Sequence, residues 1–390
     1  MNRTSVACTL IAGASVVSVA AFLAVAGPLN PPTGAVAPTY KTLQQVEPRT
    51  DVATLPSGNQ SGRRITQPGS YYLSGPVVIN TPTGGGGELN GISIEADDVT
   101  LDLNGFNIDN IGTVSSSGAG VLLSGARSRI TIKNGSISRF LAGIGAEDDS
   151  SVRITDVSIG GTGTYGIWAG AGAVITGCQV RSGVNAGVQA GPGSIIADCT
   201  VAGPAGVAYQ LGDSSSATGC SAISPGGPGF ALSDGCSVTR CTVANPGGAA
   251  AGISATNNGS ILDCNVRGGQ LGIELAGGGN RVERCKIGNA LVGLRSSFAN
   301  TIVDNTLNAA GSGTGQGIVL AGPDNRVERN HIYTFNEGIR VDAAFNVVTS
   351  NNLHFVANPI PGSGIATSII AATVNTAAGL AANPTANTIQ

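Results

Sequence analysis

The chain has 390 residues, only 11% of them charged, and a formal net charge of −3. Charge this sparse, against ~25% in ordinary globular domains, leaves no basic face for nucleic acid. Sixty glycines beside 41% apolar residues, with no glycine at every third position, exclude both collagen and low-complexity disorder.

Residues 1–26 read as an export signal. Arg3 supplies the positive start, Val6 to Val25 is apolar or small, and Ala24-Val25-Ala26 offers an Ala-x-Ala cleavage site. An uncleaved anchor is the alternative, because the apolar stretch approaches the ~20 residues that span a bilayer. Gly27-Pro28 and the small residues before it favour cleavage, and Cys8 lies too early for lipid attachment. After cleavage no second segment is long and apolar enough to span. The expected location is therefore secreted, periplasmic or cell-surface. Residues 27–64 carry prolines 28, 31, 32, 38, 48 and 56 and read as an extended lead-in.

From residue 65 to 365 the chain repeats itself. Cys178, Cys199, Cys220, Cys241, Cys264 and Cys285 are separated by 21, 21, 21, 23 and 21 residues. A second marker, glycine followed by an apolar residue, runs from Gly91-Ile92 through Gly166-Ile167, Gly206-Val207 and Gly252-Ile253 to Gly364-Ile365. Between these markers the apolar runs are short, β-branched and alternating, as in Ser128-Arg129-Ile130-Thr131-Ile132. That is strand periodicity bounded by turn residues, with no 3.6-residue pattern. One supersecondary unit stacked on copies of itself explains both markers. The lead-in around Ile65 to Ile79 is expected to cap one end. Residues 366–390 lose the repeat and read as a cap or tail.

The cysteine column is continued by Asn134 and Asp156 before it and by Asn305, Asn330 and Asn351 after it. Phrases such as Val327-Glu328-Arg329-Asn330-His331-Ile332 resemble the repeat of right-handed parallel β-helix proteins, the pectin-lyase-like superfamily. The resemblance implies an all-β, right-handed parallel β-helix, a solenoid of twelve or thirteen coils. At ~4.8 Å per coil the stack would be about 60 Å long. In that family an inward asparagine at a sharp turn forms a stacked ladder. The resemblance covers structural positions and carries no catalytic residue. The Gly-His-Gly and Arg-Ile-Lys of polygalacturonases, the Trp-Ile-Asp-His of pectate lyases and the Asp-Pro-His-Asp of alginate epimerases are absent.

Cysteines in an exported protein first suggest disulfides. Side chains stacked in register point the same way, which holds Cβ atoms near ~4.8 Å apart where a bridge prefers ~3.8 Å. Buried thiols are expected, with Cys236, off the column, the exception. A straight row cannot wrap a tetrahedral metal, so no metal site is assigned.

Three places stand out on the outward column that follows the glycine marker. Trp168, the only tryptophan, with Tyr165 beside it, is a stacking platform for a sugar ring, or a plug under a turn. Glu147-Asp148-Asp149 is an acidic turn, ordinarily a solvated one; its functional alternatives are a Ca²⁺ site, a substrate contact or an acid/base pair. Glu274, Arg295, Arg340 and Asp342 share a face, with His331 and Glu337 in the same region. They would orient a uronate or form a surface ion-pair network. The leading expectation is an exported protein that binds extracellular or cell-surface polysaccharide. A polysaccharide lyase, glycoside hydrolase or epimerase is the runner-up, and a surface-structural or adhesive protein is the third reading. No cofactor is identified, Ca²⁺ standing only as an alternative for the acidic turn, and no oligomeric state is assigned.

Overall fold

The structure, a computed structural model, describes residues 48–389 apart from 59–60, 81–88, 113–117, 147–150, 182, 184, 312–314, 375–382 and 384. The segment read as an export signal and the Glu147-Asp148-Asp149 turn lie outside the described residues.

From Arg49 onward the described chain winds as a parallel β-helix, with two single-turn 3-10 segments, Val52–Thr54 and Ile365–Thr367. A representative coil consists of Tyr165–Ala169, Val174–Thr176 and Gln179–Arg181, on what we term the first, second and third faces. Every coil pairs with the next in parallel register: Tyr165 lies beside Ala186, Val174 beside Ile195, Gln179 beside Thr200. First-face strands form a 13-stranded sheet. The other two faces join into one sheet, because Ile130–Ser138 and Val152–Gly160 run through the bend without a break.

The cysteines stack at that bend. Register places Cys178 through Cys285 in one inward column, all buried, continued by Asn305, Asn330, Asn351 and Asn387. Each amide oxygen accepts the backbone N–H one coil earlier: Cys285 to Asn305 at 2.8 Å, Asn305 to Asn330 at 3.0 Å, Asn330 to Asn351 at 3.0 Å. In the thiol half sulfur takes that place more weakly, the Cys178 N–H reaching Cys199 Sγ at 3.4 Å.

Asn134 and Asp156 are not in this column. Strand register aligns them with Gly177, the residue before Cys178, and the inward positions of their coils are Gly135 and Val157. All three have positive φ, 58°, 54° and 65°. Asn and Asp are at home there because their short polar side chains tolerate the left-handed region. The same residue types thus serve two adjacent positions for different reasons.

A second ladder runs five residues ahead of the first. Ser194, Ser215, Cys236, Gly259, Asn280, Asn300, Asn325 and Asn346 align at the first-to-second-face turn. The Asn280 N–H donates to Asn300 Oδ1 at 2.8 Å and the Asn325 N–H to Asn346 Oδ1 at 2.9 Å. Cys236 is therefore a column member like the others, buried and unbridged.

The glycine marker has a steric cause. A Cβ on Gly166 would lie 2.3 Å from Val180 Cγ1 and 2.5 Å from the Gly187 carbonyl oxygen. The first face can pack down on the inward residue of the third only where that side chain is missing. Gly206-Val207 does not belong to this column: register puts Ala208 beside Gly187, so Tyr209 fills the inward site and Gln210, not Ala208, faces out. Tyr209 is fully buried, stacks on Phe230 at 4.6 Å, and donates its hydroxyl to the Cys199 carbonyl at 2.7 Å. Its bulk is matched in the same coil by Ala217 and Ala222, where neighbouring coils place Ile, Val or a second Val. Total volume, not identity, is what a close-packed interior conserves.

Residues Ile65 to Ile79 form a coil instead of a cap, pairing with Ile94, Val99–Asp102 and Asn107–Asn110. The end is covered by Thr50–Asp51 and the buried Val52. At the other end Ile369–Ile370 and Asn387–Ile389 pair onto the last coil. Gly364-Ile365 lies in the 3-10 turn there, outside the first face.

Candidate functional site

Among the outward residues of the first face, Leu122, Gly145 and Trp168 occupy consecutive coils in direct register. The glycine between them leaves a slot. Its walls are an aliphatic and an indole side chain two coils, ~9.6 Å, apart at the backbone, and side chains stand roughly perpendicular to a sheet. A Cβ built on Gly145 meets Leu122 Cδ1 at 3.4 Å, an ordinary contact, so the glycine is not demanded by the backbone.

Tyr165 sits at the start of the same strand as Trp168, and their rings are 4.9 Å apart at 43°. Both are half-buried. With Asn90, Leu141, Ala142 and Thr164 they line an open depression of ≈ 270 Å³. Its apolar walls carry polar edges: a phenol, an indole N–H and a threonine hydroxyl. The fourth-coil strand that carries Gly145, Ala142–Ala146, ends one residue before Glu147. The sequence candidates Trp168 and Tyr165 lie at this slot beside Leu122 and Gly145, which share the outward column and which sequence reasoning did not single out.

Towards the C-terminal end, Glu274, Arg295, Val319 and Arg340 follow one another in register. Arg340 is already engaged. Its Nε donates to both Asp342 carboxylate oxygens at 2.9 Å, and its Nη1 lies 3.5 Å from Glu337 Oε2. Asp342 first, and Glu337 with it, raises the Arg340 guanidinium above its ordinary value. Glu337 also accepts from Gln316 Nε2 at 2.6 Å. Arg295 is exposed and, among the described residues, has no salt bridge. His331 and His354 lie on the third face, on the strands His331–Tyr333 and Asn352–His354, and not with the Arg340 cluster. Among the described residues no group of three or more His, Cys, Asp or Glu is arranged to hold a metal ion.

A family model described as "Right handed beta helix region" matches residues 86–223 and 209–376. Several solved structures resemble the fold. The Azotobacter vinelandii mannuronan C-5 epimerase AlgE4 A-module is 16% identical over 77% of this chain and 90% of its own, with a TM-score of 0.48. For the AlgE6 A-module of the same organism the values are 14%, 83%, 90% and 0.44. For PfbA, a surface adhesin of Streptococcus pneumoniae, they are 12%, 77%, 84% and 0.42. No curated protein sequence matches the chain.

Proposed function

The chain belongs to the right-handed β-helix family, and from that premise we propose that it is an exported protein that binds polysaccharide on its first face, at the Trp168 slot. The observation that carries this reading is the Leu122–Gly145–Trp168 arrangement with Tyr165 against the indole. A pyranose ring has one face of C–H groups and a rim of hydroxyls. Entering the slot, it would lay the C–H face on the indole and leave the rim to Thr164, the Tyr165 hydroxyl and the neighbouring Gln189. Apolar walls with a few placed polar groups are the usual make-up of a small-ligand site. Consecutive coils repeat the same backbone, so a chain of sugars could continue along the sheet beyond the slot.

The cluster at Arg340 supports orientation of a ligand more than chemistry on it, since both nearby carboxylates are held by the arginine. Affinity electrophoresis in gels containing neutral or acidic polysaccharides tests the proposal. Retardation by at least one polymer, weakened about tenfold in Trp168→Ala through loss of ring stacking, is the expected result. No retardation by any polymer, or retardation indifferent to that substitution, would overturn it.

A further inference from the structure

The third face differs electrostatically from the rest of the molecule. From Gln179–Arg181 to Asn352–His354 its nine strands present serine, threonine, asparagine, glutamine, small residues and the exposed Ile223 outward, and not one carboxylate. This is a protein in which Asp and Glu outnumber Lys and Arg, 23 to 20.

Arg181, Arg267 and Lys286 stand on this face, exposed, and have no salt bridge among the described residues. Several arginines elsewhere are neutralised by carboxylates, Arg284 by Asp263, Arg329 by Asp304 and Arg340 by Asp342, although Arg295 on the first face has no such pair among the described residues. Those pairs sit at the bend beside the third face or on the first face, so the third face keeps its positive charge.

The face ends in a strip of rings. His331 and Tyr333 are 6.5 Å apart at 12°, Tyr333 and His354 5.7 Å apart, and His354 stacks on the exposed Phe355 at 4.0 Å. Both histidines of the chain are in it. Beside them Asn352 Oδ1 is buried and is the one such side-chain atom without a hydrogen-bond partner among the described residues.

We infer that the third face is a second binding surface, for an acidic polysaccharide whose carboxylates meet Arg181, Arg267 and Lys286 and whose sugar faces stack on the terminal rings. The charge pattern selects the occupant: Arg267 and Lys286 on adjacent coils, Arg181 four coils from Arg267, hydroxyls and amides between them, and no like charge to repel a polyanion. A flat parallel sheet supplies these groups along ~38 Å, eight coil spacings of ~4.8 Å. This inference does not depend on the Trp168 slot.

The experiment is affinity electrophoresis and titration of the full chain with polygalacturonate, dextran, heparin and single-stranded DNA, each at low and at 0.5 M salt. The expected result is retardation by polygalacturonate that salt weakens and Trp168→Ala leaves in place. The triple variant R181Q/R267Q/K286Q should raise the Kd about tenfold, three exposed charge contacts. R181K/R267K should retain binding, and Tyr333→Ala with His354→Ala should weaken it. All substitutions are on exposed or half-exposed positions, and an unchanged melting curve shows that the fold is intact. Binding of polygalacturonate that the triple variant leaves untouched would overturn the inference. So would retardation of Trp168→Ala by dextran equal to that by polygalacturonate, tighter binding of DNA than of the uronate polymer, or loss of all acidic binding in Trp168→Ala alone.

Discussion

The Cys285 backbone N–H donates to Asn305 Oδ1 at 2.8 Å, and at this one step a column of thiols becomes a column of amides. Asn305 also donates through Nδ2 to the Val282 carbonyl at 3.0 Å and to Asn330 Oδ1 at 3.0 Å. It satisfies three coils at once. The thiols below it make only long contacts, such as Cys264 Sγ to the Leu262 carbonyl at 3.2 Å and to Val238 at 3.5 Å.

Asn305→Ala should therefore cost about 2–3 kcal/mol, because it orphans a buried N–H and removes two donors. Cys264→Ala should cost nearer ~1 kcal/mol, the transfer of one small apolar group. Urea unfolding followed by far-UV circular dichroism gives both values. Equal losses would mean that the two halves of the column are held by the same interactions.

Two glycines on one strand make opposite predictions. A Cβ on Gly143 would lie 2.4 Å from Ile159 Cγ2 and 2.5 Å from the Gly166 carbonyl oxygen, whereas one on Gly145 meets nothing closer than 3.4 Å. Gly143→Ala should lose about 1–3 kcal/mol by overpacking. Gly145→Leu should keep the melting temperature and abolish retention on whatever polymer Trp168 binds, by filling the slot. A destabilised Gly145→Leu would show that the slot is closed in solution.

The bend carries carboxylates whose arginine partners lower their pKa: Arg284 acts by hydrogen bonding on Asp263, and Arg329 on Asp304. A depressed folded-state value means that the pair contributes above the unfolded aspartate value of ~3.9 and is lost as pH falls through the folded one. Thermal stability should thus hold from neutral pH to about 4 and decline below it. The double variant D263N/D304N should show a shallower acid limb, by a small margin since the pairs are exposed. A steeper limb would contradict the pairing.

All seven described cysteines are buried and unbridged. Hydrogen bonding between neighbouring sulfurs pushes Cys199, Cys241 and Cys285 above the ordinary thiol range and Cys178, Cys220 and Cys264 below it, and burial raises Cys236. The thiolate is the reactive form, and burial of all seven keeps it from the reagent whichever way each thiol is shifted. None of the seven should react with iodoacetamide in the native protein at pH 7.5, and all should react in guanidinium. Mass spectrometry of the trapped protein reads the number directly; a native-state label on any of them would place that coil's thiol in contact with solvent.

Much of the winding was legible from one dimension. A solenoid repeats its contacts at a fixed chain spacing, so Cys178 to Cys285 and the glycine marker report coil after coil, and alternating β-branched runs report strands. The second ladder was equally open to reading, since Asn280, Asn300, Asn325 and Asn346 each precede a member of the first by five residues. It escaped notice because serine, cysteine and glycine fill its early positions.

What composition and period determined is the coil: its length, its inward columns and the outward placing of Trp168. Register decided the rest. One residue separates the left-handed position of Asn134 from the inward one, and two separate Gly206 from the site that Ala208 takes. Neither difference can be seen until strands are paired, because both positions accept the same residue types. The slot and the unneutralised third face are likewise products of stacking, which brings Leu122, Gly145 and Trp168, or Arg267 and Lys286, side by side from coils more than a dozen residues apart.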